Sequence, residues 1–484
     1  MEDADPLIAR HRTALRRFEL SRPIRFAIQD FLITPATSVL DYGCGQGDDL
    51  RRLREQGISC AGWDPFFAPL ADRQQSDVVN LGYVVNVIED TAERAKTVAD
   101  AWSLAGKLLI ISARLTSDLD SGIRLPYADG YLTRLGTFQK LYEQQELRNW
   151  IDTTLGESCV AASPGVFYVF KDQELKYAYV ASHIRQAAAR PRLLRSHERF
   201  EAHRSLFEEL IQFLLARGRL PVDAELPSGH RLAEAIGSIR RAFAILQRVT
   251  GAEQWEHIRT QRAQDLLVYL ALSRFSRRPR FCVLPDSLQL DLRAFFSNYK
   301  HACELADDLL FSVGDRAQVE RACRGSGVGK ITPTALYVHT SALSSLAPIL
   351  RVYEGCARAL TGTVDGSNIV KLHFIEPTVS YLSYPAFETD AHPALASSLW
   401  VHLRAFKMRQ RLYREAENPP ILHRKEEFVP KDDPMRSKYE RLTRQEERRG
   451  LYEHPSDIGM RAGWERALAA KGLRIAGHRL LRGD

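Results

Sequence analysis

Over the first 171 residues, the apolar and polar positions alternate between strand-like and helical spacing. Residues 38–41 are an apolar run of strand length, and 48–56 carry apolar positions at helical intervals. Strand-like runs follow at 58–64, 77–82 and 107–112, with a helical stretch at 92–104 between the last two. An amphipathic helix at 139–155 and a closing strand at 166–170 complete this part. Ahead of it, residues 10–30 read as a basic helical lead-in with apolar Leu15, Phe18, Ile24, Ala27 and Ile28. Packing beside a sheet is one role for that helix; nucleic-acid contact through Arg16 and Arg17 is another. The alternation predicts a doubly wound parallel sheet, whose ligands sit at the carboxyl ends of the strands. Residues 172–280 keep helical periodicity with little strand signal, and residues 281–484 mix the two. The expected organisation is an α/β domain over 1–171, a mainly helical section over 172–280 and an α+β domain over 281–484.

The candidate chemistry lies where the first strand ends. Asp41, Gly43, Gly45 and Gly47 occupy alternate positions and are followed by Asp48 and Asp49, which suit the start of a helix. A strand, a glycine loop and a helix N-terminus let a nucleotide-like ligand approach the backbone with no Cβ in the way. The form D-x-G-x-G-x-G, as opposed to G-x-G-x-x-G, resembles motif I of class I S-adenosylmethionine (SAM) methyltransferases, whose domain is Rossmann-like. The next strand ends in Trp63 and Asp64, where a ribose-binding carboxylate belongs. Asp64 would accept from both ribose hydroxyls, and Trp63 would flank the adenine. The same geometry would hold NAD in a dehydrogenase, but the glycine pattern differs and no second mononucleotide-binding half follows. Only 12 residues separate Asp64 from Asp77, too few for the helix and strand usual between these motifs. Asp72 is the nearest counterpart of the acidic residue that contacts the adenine amino group. The short link leaves open a domain that binds SAM without transferring methyl.

Residues 77–90 resemble the fourth strand of such methyltransferases and the turn after it, the floor of the SAM and acceptor pockets. Leu81 falls there as a cofactor contact. Asn80 and Tyr83 have the N-x-x-Y spacing of the N-P-P-Y motif of DNA amino-methyltransferases, without its prolines. In that reading Asn80 orients the target amino group and Tyr83 stacks on a flipped base. The rival reading is the looser acidic turn shared by small-molecule, RNA and protein methyltransferases. Residues 113–140 form a polar loop placed to cover the acceptor.

Charge changes the picture in the middle of the chain. Residues 1–171 carry 19 basic and 23 acidic side chains, a net of −4, whereas 172–280 carry 19 and 12, a net of +7. That asymmetry suits a polyanionic partner as well as it suits an Arg-rich surface, since only 13 of the 67 basic residues are Lys. Residues 217–246 resemble a short helical repeat found beside homing endonucleases, and Arg240, Arg241 and Arg248 are its candidate phosphate contacts. The seven cysteines are scattered, with no C-x-x-C and no His pair at zinc spacing, so no metal is expected. No apolar run reaches the ~18 residues of a membrane span and the N-terminus is not signal-like, which predicts a cytoplasmic protein. Residues 325–331 imitate a P-loop, but Arg324 stands where its first glycine belongs and Ile331 where Ser or Thr belongs.

In the C-terminal part, Lys371, His373, His423, Lys425 and Glu426 are candidates for a second polar site of unassigned chemistry. Taken in order, the segments V-L-D-Y-G-C-G-Q-G-D-D, G-W-D-P, D-V-V-N-L-G-Y-V-V-N-V-I-E-D, A-L-Y-V-H, V-S-Y-L-S-Y-P and P-P-I-L-H-R-K-E resemble the DNA phosphorothioation-associated methyltransferase family. The resemblance runs nearly end to end. It implies SAM as cofactor, DNA as the partner, a DNA base as the expected acceptor, and other DNA modification proteins as further partners. RNA, protein or small-molecule acceptors, and a non-catalytic SAM-binding scaffold, stay open beside it.

Overall fold

The computed structural model describes residues 8–14, 16–118, 125–186, 198–222 and 224–483. Leu15, residues 119–124 of the loop expected over the acceptor, and residues 187–197 of the basic section lie outside the described residues. The chain forms two compact units, one of Met1–Tyr179, Gly329–Thr340 and Glu354–Asp484, the other of Val180–Val328 and Ser341–Tyr353.

In the first unit, α1 (Arg22–Gln29) leads into β1 (Val39–Tyr42), α2 (Asp48–Glu55), β2 (Cys60–Trp63), β3 (Ser76–Gly82), α3 (Thr91–Leu104) and β4 (Ala105–Ser112). Three short strands, β5 (Leu125–Tyr127), β6 (Gly130–Leu132) and β7 (Phe138–Gln139), pair in a small antiparallel sheet. Then come α4 (Gln144–Leu155), β8 (Val160–Ser163) and β9 (Val166–Phe170). The main sheet has the order β2-β1-β3-β4-β9-β8. Its first four strands are parallel, which gives the Rossmann-like α/β domain expected from the alternation. β9 runs antiparallel between β4 and β8, a departure from the all-parallel expectation. Pro164 and Gly165 alone join β8 to β9, with Gly165 at φ 73°, and so tight a hairpin can only join antiparallel strands. Residues 64–75 form turns with no helix or regular strand, which leaves β2 at the sheet edge.

Two expected helices are shorter than their periodicity suggested. Over 10–30 the chain makes one 3₁₀ turn (Arg10–Thr13), has no regular structure over 16–21, where it bends at Phe18 and Glu19, and turns helical only at Arg22. Pro23 explains the late start, because its missing N–H costs nothing in a first turn and breaks a helix interior. The helix expected from 139 starts at Gln144, since Phe138 and Gln139 pair with β6 and a Glu143–Glu146 capping box sets the N-terminus. Sheet and helices bury one core, with Leu40, Val79, Leu81, Leu109, Ile111 and Phe167 from the strands and Val98, Ala101, Leu147 and Ile151 from α3 and α4. Each large apolar side chain among these contributes about 1.5–3 kcal/mol by leaving water. The consequence for function is that the carboxyl ends of β1, β2, β3 and β4 open along one rim.

After α5 (Gln173–Ser182), the second unit is helical: α6 (Glu198–Ala202), α7 (Arg204–Arg217), α8 (Gly229–Ile236), α9 (Ile239–Thr250), α10 (Ala252–Leu272), α11 (Asp286–Phe295), α12 (Tyr299–Ser312) and α13 (Arg316–Arg324). Phe207, Leu210, Leu214, Leu232, Leu246 and Trp255 share its core. These helices continue to Arg324, so the boundary expected at 280 falls inside this unit. Helical periodicity marks each helix but carries no information on which helices share a core.

The P-loop-like stretch is the turn from α13 into β10 (Lys330–Ile331). Then follow β11 (Ala335–His339), α14 (Pro348–Thr361), β12 (Ile369–His373), β13 (Thr378–Ser383), β14 (Ser397–His402) and β15 (Lys407–Leu412). The strands β10 to β15 form a second six-stranded sheet in sequential order, antiparallel throughout. One face, with Val338, Val370, Leu372, Val379 and Val401, is buried. The chain ends in α15 (Arg436–Arg448), α16 (Pro455–Ile458), α17 (Arg461–Ala470) and the hairpin of β16 (Leu473–Ala476) and β17 (Arg479–Arg482). Hydrogen bonds tie this part to the methyltransferase-like sheet and its helices: Thr363 N donates to Ala162 O at 2.7 Å, and Gln144 Nε2 donates to Leu360 O at 2.7 Å. Among the described residues no helix is long and apolar enough to cross a membrane, and no group of three His, Cys, Asp or Glu could hold a metal ion.

Candidate cofactor and acceptor site

The loop between β1 and α2 has the backbone shape its glycines allow. Gly43, Gly45 and Gly47 sit at φ 92°, 52° and 75°, where a side chain is strained. At Gly43 a Cβ would also drive into Val84 Cγ2, so strain and close packing both require glycine there. The loop is stitched to the end of β2. Gly43 N and Cys44 N donate to Trp63 O at 2.7 and 3.1 Å, and Gly45 N donates to Asp64 Oδ2 at 3.0 Å. Asp64 Oδ1 accepts from Phe66 N and Phe67 N, both at 2.9 Å. A carboxylate has about four acceptor positions. Three are used by the backbone, so Asp64 offers one, on Oδ2, to an incoming hydroxyl. The expectation of two ribose hydroxyls on this carboxylate is thereby reduced to one in this loop conformation.

An open cavity of about 280 Å³ lies over this loop. Gly43, Gly45, Trp63, Asp64 and Tyr83 line it, as the sequence expected. Val84, in the 77–90 segment expected at the pocket floor, lines it too, as do Arg10, His11, Arg17, Phe66 and Thr97, which were missed. Glycine backbone and a carboxylate at one end, with Trp63, Phe66 and Val84 close by, fit the amino-acid, ribose and adenine parts of SAM. Residues 10–154 match the model of a family described as "Methyltransferase domain". This part of the chain is a SAM-dependent methyltransferase domain.

No curated protein matches the chain. Among solved structures, it is similar to the sugar N-methyltransferase KedS8 from Streptoalloteichus sp ATCC 53650, at 16% identity and TM-score 0.25, over 31% of this chain and 85% of that one. It is similar also to a SAM-dependent methyltransferase from Aquifex aeolicus, at 16% identity and TM-score 0.24, over 33% of this chain and 95% of that one. A third is the Burkholderia thailandensis 1,6-didemethyltoxoflavin-N1-methyltransferase, at 14% identity and TM-score 0.24, over 34% and 78%. Likeness at these scores carries no argument about the acceptor.

The methyltransferase domain closes its cavity with its own N-terminal segment. Arg10 bonds Glu89 at 2.8 Å and Glu93 at 2.6 Å, which favours its charged form further. Arg17 N donates to Asp48 Oδ2 at 2.8 Å, and Ser21 N donates to the buried Asp49 at 2.7 Å. The His11 ring stacks on Phe66 with centroids 4.3 Å apart. Residues 10–14 and 16–21 thus strap the glycine loop, the β2 end and the start of α3 together. The clustered Arg10, Arg16 and Arg17 were the available signal, but a helical reading hid an irregular strap.

The remaining candidates of the methyltransferase domain lie beneath the cavity. Asp41, Gly47, Asn80 and Leu81 do not line it. Asn80 is inside β3, opposite Asp41 in the register and 1% exposed, and its Nδ2 donates to Asp41 Oδ1 at 2.8 Å. Its own Oδ1 has no partner among the described residues. Asp41 is 4% exposed, and burial, with the Asp49 charge beside it, pushes its carboxyl up to about 7. Asn80 therefore does not face an acceptor as the N-x-x-Y reading required. The missing prolines are the physical reason, because without them β3 runs on to Gly82 and keeps Asn80 in the sheet. Leu81 is fully buried in the core.

Tyr83 is the first residue past β3 and does reach the cavity. It adopts φ 61°, rare for an aromatic residue, and strain of this kind costs about 1–3 kcal/mol. Its N–H, bonded to Ser112 O at 2.9 Å and near Ser112 Oγ at 3.1 Å, holds that turn. The Arg17 guanidinium lies 5.6 Å from its ring centre.

The other candidates form no second centre. Arg240, Arg241 and Arg248 lie on α9 in the helical unit, and all three are exposed. Arg241 and Arg248, seven residues apart, share a helix face about 10 Å apart along the axis. On β12, Lys371 lies 5.0 Å from the ring of Tyr337 of β11, and His373 bonds Ser380 at 3.1 Å, with its imidazole pushed down to about 4 by burial and by Lys371. Lys425 is elsewhere, donating to Phe387 O and Asp390 O at 2.6 Å and to His478 at 2.8 Å, which saturates its ammonium. Glu426 accepts from Thr443 at 3.0 Å, and His423 Nε2 bonds Ile458 O at 2.7 Å. These are interior polar locks of the C-terminal part, each with its own partners.

Proposed function

We propose that the protein transfers the methyl group of SAM to a base of DNA, as part of a DNA modification system of the phosphorothioation type. The observation that carries methyl transfer is that Gly43, Gly45, Asp64 and Tyr83 surround one cavity at the carboxyl ends of β1, β2 and β3. The extended family resemblance and the basic segments of the chain support DNA over other acceptors. SAM supplies a methyl group already activated by its sulfonium, so the chain has only to position, desolvate and shield the reactants. Asp64 holds one ribose hydroxyl, the glycine loop admits the amino-acid end, and the Arg10–Arg17 strap excludes water. Tyr83 is the residue of the N-x-x-Y segment that meets the acceptor, its ring offered to a base extruded from the duplex. Asp41, Gly47, Asn80 and Leu81 shape the floor.

The burial of Asn80 favours a second reading, since no amide then receives an exocyclic amine. In it the acceptor is RNA, protein or a small metabolite, or the domain binds SAM as a scaffold. The test is to incubate the protein with methyl-labelled SAM and separate DNA, RNA and small-molecule pools, and to analyse nucleosides by mass spectrometry. Label in a DNA base supports the first reading. Label confined to another pool, or SAM binding in calorimetry with no label anywhere, replaces it with the second.

A further inference from the structure

We propose that the β14–β15 hairpin is a DNA-backbone platform that presents the acceptor strand beside the methyltransferase site; this rests on the reading of DNA as the acceptor. From Ser397 to Arg414 the chain carries five Lys or Arg residues and no acidic one. Arg404, Lys407, Arg409, Arg411 and Arg414 are all exposed, and none makes an ion pair among the described residues. Other arginines of the chain are neutralised within the fold: Arg94 bonds Asp129 at 2.7 Å, and Arg262 bonds Asp265 at 2.7 Å. The hairpin is thus a concentration of uncompensated positive charge on a rigid scaffold.

The strand period orders that charge. Lys407, Arg409 and Arg411 alternate with Met408 and Gln410, so the three cations share one face. Cations on alternate strand residues recur every ~6.8 Å, a step comparable with that between neighbouring phosphates of a nucleic-acid strand. Arg409 pairs in register with Trp400, and that row continues across the sheet through Ser380 to Lys371 and Tyr337. The row therefore adds the partly exposed Trp400 ring to this face, while Tyr337 at its far end packs against the buried cluster of the C-terminal part. At the hairpin turn Phe406 is 57% exposed and held at φ 51° between Arg404 and Lys407.

Placement connects this surface to the chemistry. Met408, on the opposite face of β15, packs against the core of the methyltransferase domain. The same strand lies against the short helix Thr116–Asp118, which follows the carboxyl end of β4. Because β15 is the edge strand of its sheet, a duplex held on its outer face and passing round that edge would reach the rim where the acceptor must enter. The competing explanation is that charge on an edge strand prevents edge-to-edge pairing. One or two cations would do that, and it asks for neither the turn residues nor the row inside the sheet.

The test is fluorescence anisotropy of a labelled DNA duplex with the full-length protein across a salt series. Each phosphate that no longer meets a cation lowers the log–log salt slope by about 0.9. The combined variant Lys407→Gln, Arg409→Gln, Arg411→Gln should therefore fall by about 2–3 in slope and bind at least tenfold more weakly at fixed salt. Its affinity for SAM in calorimetry should be unchanged, which also reports that it folds. Wild-type-like DNA binding and slope in that variant would overturn the proposal while leaving DNA as acceptor intact. No duplex binding by the wild type would remove both. If the triple variant aggregates, Arg409→Gln and Arg411→Gln are read singly; slopes each lower by about one sustain the platform, and unchanged slopes reduce the charges to edge protection.

Discussion

Asp64→Asn is the substitution that asks most of the cofactor site. Asp64 Oδ1 accepts from two N–H groups and Oδ2 from the N–H of Gly45. An asparagine keeps its carbonyl oxygen on Phe66 and Phe67 and turns an NH₂ toward Gly45 N–H, donor against donor. The variant loses one charge-assisted bond to the loop and the only acceptor position left for a ribose hydroxyl. A hydrogen bond to a charged group contributes about 1.5–3 kcal/mol. With tenfold per 1.4 kcal/mol, the loss of the ribose bond lowers SAM affinity about 12- to 140-fold. The effect on folding is smaller, on the order of 1 kcal/mol, because Asp64 is only half-buried and water can reach Gly45. The assay is isothermal calorimetry with SAM, paired with a thermal melt of the same sample. Asp64→Ala, which strands all three N–H groups, should bind no better and melt lower. SAM affinity within twofold of wild type for Asp64→Asn would refute the assignment of ribose binding to this carboxylate.

Gly43→Ala should destabilise the domain by about 2–4 kcal/mol, from positive-φ strain together with the clash against Val84. Adding Val84→Ala should return part of that loss in a double-mutant cycle by denaturant melt, with a coupling of about 1–2 kcal/mol; strict additivity would dismiss the close approach. Tyr83→Gly should relieve strain at φ 61° and leave SAM affinity near wild type, yet abolish label transfer. Retained transfer would take Tyr83 out of the acceptor site. For pH, Asp41 holds its proton up to about 7 when folded and releases it near 3.8 when unfolded, with burial as the main cause. Between those values the folded state binds more protons, so this group's contribution to stability falls as pH rises from about 4 to about 7, by a few kcal/mol at most. Asp41→Asn should remove that component from a melting-temperature profile across about pH 4–8; an unchanged profile would show that Asp41 titrates normally.

Much of the methyltransferase domain is legible in the chain because its signals are local. Periodicity marks β1, β2, β3 and β4, and the glycine spacing of 43, 45 and 47 states a backbone shape that few other residues adopt. The 12-residue link after Asp64 reveals a missing strand by simple reach, and the sheet accordingly ends at β2. What depends on partners far along the chain was hidden. Asn80 looks like an acceptor-facing amide in sequence, but register opposite Asp41 buries it. Arg10 and Arg17 look like one face of a helix, and only Glu89, Glu93 and Asp48 draw them out as a strap over the cavity.

The sequence by itself determined the α/β alternation, the glycine loop and Asp64, since each follows from steric and spacing rules acting over short stretches of chain. Tertiary structure alone decided which of these groups share a cavity, and that residues 329–340 and 354–484 rejoin the first unit across an intervening helical one. It also decided that a charged hairpin near residue 400 lies against the helix 116–118 beside the methyltransferase core. Such contacts join residues hundreds of positions apart, and hydrophobic periodicity records that a face is buried without recording what buries it.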